Sequence, residues 1–536
     1  MATASIPAPA TPPAGIAADI PAYIPPPPLS GAARTWGTVA LSAATFMNVL
    51  DSSIANVSLP AIAGDLGVSP NQGVWVITSF GVATAIAVPL TGWLSQRFGQ
   101  VRLFTGSILL FVLFSWLCGL APNMPTLILF RILQGLAAGP MIPLSQALLL
   151  SSYPKALAGT AMAFWSMTTL IAPVMGPLLG GWITDNMSWP WIFYINIPVG
   201  IGAAFITWSI FRHRESQIRK LPIDSIGLAL LVVWVGSLQI MLDKGQELDW
   251  FHSGEVIALG VVAVVGFIAF LIWELTEEHP VVDLSLFKRR NFWAGVIAVS
   301  VGYGLFFGNV VLLPLWLQQY MGYTATQAGM ILAPVGLFAM LLSPVVGKTL
   351  HKVDPRHYAA FSFVVFTLVL WLRSRFNTQA DFGTIMIPTV IQGVAMAFFF
   401  IPLMTITLSN LPYDKIAAAS GLSNFVRITA GSFGTSIATT LWQDRAALHH
   451  AQISEYVGQG NQAASSALSG LASAGLSPEQ ALASVNRLVD QQAYMLAAND
   501  IFYASSLMFL LLIPLIYLTR RPSTGEASSD AAAGAH

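Results

Sequence analysis

Among the 24 acidic residues of this 536-residue chain, Asp51 alone stands well inside an apolar run, Trp36 to Val57. A carboxylate in hydrocarbon costs about 3 kcal/mol or more unless it faces protein or a water-filled path. A residue held there despite that cost is a functional candidate, and the simplest chemistry open to it is carrying a proton. Two guanidinium groups, Arg131 and Arg427, also lie within apolar runs. At ~1.5 Å per helical residue, Asp51 and Arg131 both fall roughly 9 to 10 Å below the same surface. Opposite charges at one depth pair or share a water network. Pairing favours the ionised acid and desolvation the neutral one, and a proton-coupled cycle needs both. A static salt bridge that only docks two helices is the alternative reading. Asn48 and Ala55 share the Asp51 face, and Gln134, Gly135 and Ala138 share that of Arg131. Arg427 lies near the middle of its run on a face with Asn424 and Gly431, where it lines a central cavity or meets a polar partner. Asn48, Gln134, Asn309, Asn424 and Arg427 are the candidate substrate-cavity residues.

These side chains require long apolar helices to hold them. With 55% hydrophobic and 9% charged residues, the composition is that of an all-α membrane protein. Fourteen apolar runs long enough to cross a bilayer begin near residues 36, 74, 101, 124, 157, 191, 223, 255, 294, 325, 357, 382, 416 and 499. If the N-terminus is cytoplasmic, seventeen basic residues fall on the inner side and five (Lys244, Arg373, Arg375, Arg445, Arg487) on the outer. Retained loops carry the basic excess, so both termini are expected in the cytoplasm. Residues 1–33, rich in Pro and Ala, and 522–536 read as disordered tails, and no signal peptide precedes the first run.

The chain also repeats itself. Gly67, Gln72, Gly81, Pro89 and Gly92 match Gly322, Gln327, Gly336, Pro344 and Gly347 at an offset of 255, and Gln134-Gly135 matches Gln392-Gly393 at 258. Parallel six-helix halves, 34–215 and 291–521, follow, with two extra spans in 216–290 lying between them. The segment 446–498 is the one long external loop, and Ser477-Pro478-Glu479-Gln480 is an N-cap signature for a helix leading to the last run.

Three motifs carry a resemblance. Gly176-Pro177-Leu178-Leu179-Gly180-Gly181 precedes Trp189-Pro190-Trp191 and Asn196-Ile197-Pro198, and Ala172, Gly176 and Gly180 form a small-residue stripe that admits a close neighbouring helix. Leu50 to Pro60 surrounds Asp51, and Leu127 to Gly135 surrounds Arg131. Gly92, Arg97 and Gly99 mark a tight loop after the second run. From Trp36 to Leu518 the chain resembles the fourteen-span drug:proton antiporters of the major facilitator superfamily, EmrB and QacA type. The resemblance implies the major facilitator fold, efflux of small amphipathic or hydrophobic compounds, and the bacterial inner membrane. It further implies a periplasmic membrane-fusion adaptor of the EmrA kind and an outer-membrane channel, docked through a helical 446–498 hairpin, although a solvated loop is equally open. The hallmark loop departs from the family at Gln96, where an acidic residue is usual.

Nothing suggests another energy source. Gly347-Lys348-Thr349 lacks the Gly a phosphate loop needs, Leu342 standing there, and the eight histidines show no metal-ligand spacing. Dispersed basic residues and zero net charge give no reason to expect nucleic acid. A proton gradient, no cofactor, no metal and no enzymatic activity are the expectation. An ion-coupled uptake permease and a transport-inactive receptor or scaffold are the alternatives.

Overall fold

The computed structural model describes residues 27–521 apart from 69, 155–156, 219–221, 223, 351, 413–414 and 458–460. The first 26 residues of the expected N-terminal tail and the tail 522–536 lie outside the described residues.

The first half comprises α1 (Gly31–Asp65), α2 (Pro70–Gly73), α3 (Trp75–Ala87), α4 (Thr91–Phe98), α5 (Gln100–Gly119), α6 (Met124–Ala138), α7 (Met141–Ser152), α8 (Ala158–Asn186), α9 (Trp191–Tyr194) and α10 (Asn196–Phe211). Two helices follow, α11 (Ser225–Lys244) and α12 (Gly254–Thr276). The second half comprises α13 (Arg290–Tyr320), α14 (Ala325–Thr349), α15 (Pro355–Arg373), α16 (Phe382–Thr407), α17 (Ile416–Val457), α18 (Gln462–Ser473) and α19 (Pro478–Tyr517).

Among the described residues eleven helical spans are long and apolar enough to cross a membrane, or twelve when α3 and α4, bent by 62° about Pro89, count as one. Proline cannot donate the hydrogen bond that would keep such a helix straight. The two runs that separate this number from fourteen are α8 and α17. At 29 and 42 residues they have the length. The polar residues in the first third of α17 face protein: Ser420, Ser423, Asn424 and Arg427 are all buried. The last helix begins at Pro478 rather than near 499, on a Ser477 capping box. With α17 continuing to Val457, the expected loop 446–498 is mostly helix, and α1 starts at Gly31, inside the expected tail.

Helix ends that alternate along the chain gather at one end of the molecule. There the Leu29 amide donates to the Ser152 carbonyl, Arg356 Nη1 to the Thr519 carbonyl at 3.2 Å, and Asn291 Nδ2 to the Arg520 carbonyl at 2.9 Å. Both described chain ends lie here with Arg97, Arg102 and Arg289, and we call it the basic end.

The internal repeat has physical counterparts. Beyond the far ends of α1 and α13, Gly67 and Gly322 both take a positive φ, 66° and 72°. At the basic end two repeat-related glycines meet the opposite half. A Cβ on Gly92 would lie 2.6 Å from Cβ of Ala418, and one on Gly347 would lie 2.7 Å from Cβ of Ala163 and 2.8 Å from the Gly159 carbonyl. Repeat-related glycines thus seal the same end twice, each against the opposite half. Leu at Gly92 or Gly347 should prise these contacts apart at a cost of about 1–3 kcal/mol. Spin labels at Gln96 and Lys415 should then show a longer distance by pulsed electron resonance, and an unchanged distance would mean that these glycines do not control closure.

Candidate functional site

The α1 helix presents Asp51 to α6 and to the start of α10. Both charged side chains are fully buried, and Arg131 Nη1 donates to Asp51 Oδ2 at 2.6 Å. Asp51 Oδ1 accepts from Asn196 Nδ2 at 2.7 Å and from Gln134 Nε2 at 3.1 Å. Gln134 Oε1 in turn accepts from Arg131 Nη1 at 2.7 Å and from the Cys118 thiol at 3.7 Å. Arg131 Nε donates to the Val76 carbonyl at 3.0 Å, and the guanidinium lies 4.1 Å from the Phe80 ring centroid. One negative and one positive charge balance inside the protein. A proton added to Asp51 cancels the first and leaves the second without a counter-ion.

The small-residue stripe braces the opposite side of α1. A Cβ on Gly180 would lie 2.8 Å from Ile54 Cγ1 and 2.9 Å from the Ile54 carbonyl oxygen, and Gly176 sits against Ser53 in the same way. Ser53 Oγ donates to the Pro173 carbonyl at 3.1 Å. Gly181 is half-buried in the same helix, and the side chain of Pro177 lies outside the described ones.

The candidate cavity residues part company. Gln134 belongs to the Asp51 network. Asn48 is buried and its Nδ2 donates to the Ala138 carbonyl at 2.9 Å, so it docks α1 on α6. Asn309 is buried too, its Nδ2 bonded to the Leu305 carbonyl and to Ser505 Oγ at 3.1 Å, which ties α13 to α19. Asn424 and Arg427 meet at the junction of the halves. Arg427 Nη2 donates to Asn424 Oδ1 at 2.6 Å, Asn424 Nδ2 donates to Gln146 Oε1 of α7 at 2.8 Å, and Ser420 Oγ donates to that same oxygen. Rings of Tyr303, Phe400 and Trp165 surround the Arg427 guanidinium at 4.7, 5.5 and 5.7 Å.

Sequence reasoning gave Asn196 no role beyond its motif, placed Arg373 on the outer side and passed over Gln146. Arg373, assigned to an outer loop, is fully buried at the end of α15, its Nη2 bonded to Gln392 Oε1 at 2.5 Å and Thr389 Oγ1 at 3.1 Å. The signal was available. Arg373 follows Cys118 by the repeat offset of 255, and each reaches the repeat-related glutamine of its own half.

The comparisons agree with this geometry. The model of the Major Facilitator Superfamily matches residues 41–435. The chain is 51% identical to the Multidrug export protein EmrB of Haemophilus influenzae, over 92% of this chain and 98% of that one. It is 51% identical to EmrB of Escherichia coli K12, over 92% and 97%, and 49% identical to the Fatty acid resistance protein FarB of Neisseria gonorrhoeae, over 92% and 98%. The crystal structure of the human organic anion transporter MFSD10 (TETRAN) shares the fold, with TM-score 0.58 and 12% identity over 90% of this chain and 99% of that one. The chain belongs to the major facilitator superfamily. It is a multi-pass inner-membrane transporter of the EmrB type, not an enzyme.

In the superfamily's hallmark loop, Gly99 turns with φ 89°, a conformation that favours glycine, and Arg97 lies 5.6 Å from the Trp93 ring. The carboxylates that serve this region come from elsewhere. Glu215 accepts from the Val101 and Arg102 amides at 2.9 and 3.0 Å, capping α5, where the helix dipole favours negative charge. Asp283 lines a small pocket with Gln96, Gly92 and Ala418, and its Oδ2 lies 2.9 Å from Lys415 Nζ. Burial opposes its charge, but hydrogen bonds from Ser285 and Lys415 outweigh burial and hold the carboxyl below its ordinary value. A carboxyl depressed in this way contributes stability above about pH 4 and loses it as pH falls through the folded-state value. The difference in Tm between the wild type and Asp283→Asn should therefore be full at neutral pH and shrink below about pH 4. A difference independent of pH would show that the contact is not electrostatic.

Proposed function

We propose that this transporter exports amphipathic, mostly apolar toxic compounds in exchange for protons. Export is supported by half-identity to proteins named for multidrug export over nearly their whole length. The proton reading rests on one observation, the fully buried Asp51 carboxylate bonded to Arg131 at 2.6 Å. Removing one partner of a buried ion pair costs about 3–5 kcal/mol. Moving a two-state equilibrium from one side to the other takes about 5.5 kcal/mol, so protonating Asp51 supplies most of what a switch needs. In this reading Asp51 carries the proton, while Arg131, Gln134 and Asn196 set when it is held. The proton gradient replaces any cofactor.

The same reading takes α8 and α17 as spans, giving fourteen, and places the basic end with both termini in the cytoplasm. The far ends of α17 and α19, joined through α18, then form a helical hairpin in the periplasm. His449 Nε2 lies 3.0 Å from Asp500 Oδ2 and pins the two long helices together. That hairpin is the surface on which an EmrA-like adaptor, leading to an outer-membrane channel, would dock.

Asp51→Asn keeps the shape and a hydrogen-bonding group but removes the titrating charge. Proton-driven dye uptake into everted vesicles, which is export in the cell, should fall to that of vesicles without the protein, while the amount inserted stays unchanged. Full proton-driven efflux by this variant would sink the proposal.

A further inference from the structure

Arg427 is 4% exposed, yet no carboxylate lies within ion-pair distance of it among the described residues. Its charge faces three aromatic rings, and its one described hydrogen bond goes to Asn424. An uncompensated guanidinium in a membrane interior is costly to maintain. Of the other buried arginines, Arg131 has its acid, and Arg373 at the end of α15 is bonded to Gln392 and Thr389.

The surroundings add unbonded donors. Arg427 Nε, Trp165 Nε1 and Gln146 Nε2 are all buried without a hydrogen-bond partner. Trp165 and Gln146 are contributed by the first half and Arg427 by the second, and Arg427 reaches both, directly over the Trp165 ring and through Asn424 to Gln146. Each buried donor left unbonded costs about 1–3 kcal/mol, and one anionic group with several lone pairs satisfies several donors at once. Beside them Tyr303 and Phe307 stay partly accessible, their ring centroids 4.4 Å apart, and Phe306 packs against Phe307 at 5.4 Å. An apolar or aromatic body can lie along these rings while its head reaches the donors.

We propose that the cluster of Arg427, Trp165 and Gln146 is the head-group site for an anionic substrate, a carboxylate carried on an apolar or aromatic body, and that Arg427 sets the preference for acids. The proposal deepens the export reading and rests on it only for the direction of movement. Because the donors come from both halves, the acid is held where the halves meet and is released as they separate.

Binding tests this without a proton gradient. The full chain in phosphatidylcholine nanodiscs is titrated with naphthaleneacetate, its uncharged primary amide, and a quaternary ammonium analogue on the same ring. The wild type should bind the carboxylate most tightly. Arg427→Gln should weaken it by roughly tenfold or more and leave the amide within about twofold, the size of a lost charge-assisted hydrogen bond. Arg427→Lys should keep the order of preference, and Trp165→Phe should weaken the carboxylate more than the amide. Equal affinity for acid and amide in the wild type, or equal loss of all three probes in Arg427→Gln, overturns the proposal. Loss of the carboxylate preference on adding phosphatidylglycerol to the nanodiscs assigns the site to a lipid head group and also overturns it. Intact acid selectivity without gradient-driven export would instead leave this site standing and remove the export reading.

Discussion

The structure depends on keeping one ion pair dry. Asp51 and Arg131 have no solvent exposure, and two charges in that position need their donors and lone pairs bonded, which holds here for all but Arg131 Nη2. Four elements are shaped accordingly. The interruption between α9 and α10 delivers Asn196 at the first position of α10, α3 gives the Val76 carbonyl, and α6 carries Arg131 and Gln134 one turn apart. On the far side, glycines of α8 let α1 approach until no side chain fits between them. The pair is thus a junction of helices, and a change in its charge state is felt by all of them.

The second half is built on the same plan with the charges rearranged. At the repeat offset of 255 Asp51 corresponds to Phe306, and at 258 Arg131 corresponds to Thr389. The repeat-related glutamine survives as Gln392, but its arginine arrives from α15 as Arg373, and a further arginine, Arg427, stands on α17. One half holds a buried pair of opposite charges. The other holds buried cations without acids.

What the sequence discloses follows from which physical cost is visible in it. A charge inside an apolar run is conspicuous, so Asp51, Arg131 and Arg427 are legible, and equal depth suffices to pair the first two. Asn196 and Gln146 are uncharged and look like ordinary polar residues, one at the start of α10 and one in the middle of α7. Arg373 falls at the end of its run, where composition alone reads as loop. Asn48 and Asn309 show the limit from the other direction: a polar residue on a helix face satisfies its hydrogen bonds either in a cavity or on a neighbouring backbone, and spacing does not distinguish these. The long external segment is hidden similarly, since α17 and α19 become polar where they leave the apolar zone without ceasing to be helical. Gln96 marks a departure whose meaning lies far away in sequence, in Asp283.

The two interposed helices bear on how the halves move. α11 touches both. Toward the second half, Gln239 Nε2 donates to Ser432 Oγ at 3.0 Å, Ser436 Oγ donates to the Leu242 carbonyl at 2.8 Å, and Trp234 packs edge-on to Phe425. Toward the first half, Lys244 Nζ lies 5.7 Å from the Trp75 ring and Thr78 reaches Asp243. Separating the halves at this end must break one of these faces. A neutral hydrogen bond contributes about 1 kcal/mol net and a cation–π contact about 0.5–2 kcal/mol. Either face therefore resists by a few kcal/mol, the same scale as the loss of a buried ion pair when its acid is neutralised. If Asp51 carries the proton as proposed, a brace much stronger than that would hold the halves fixed whatever its charge, and one much weaker would leave their motion uncoupled from it.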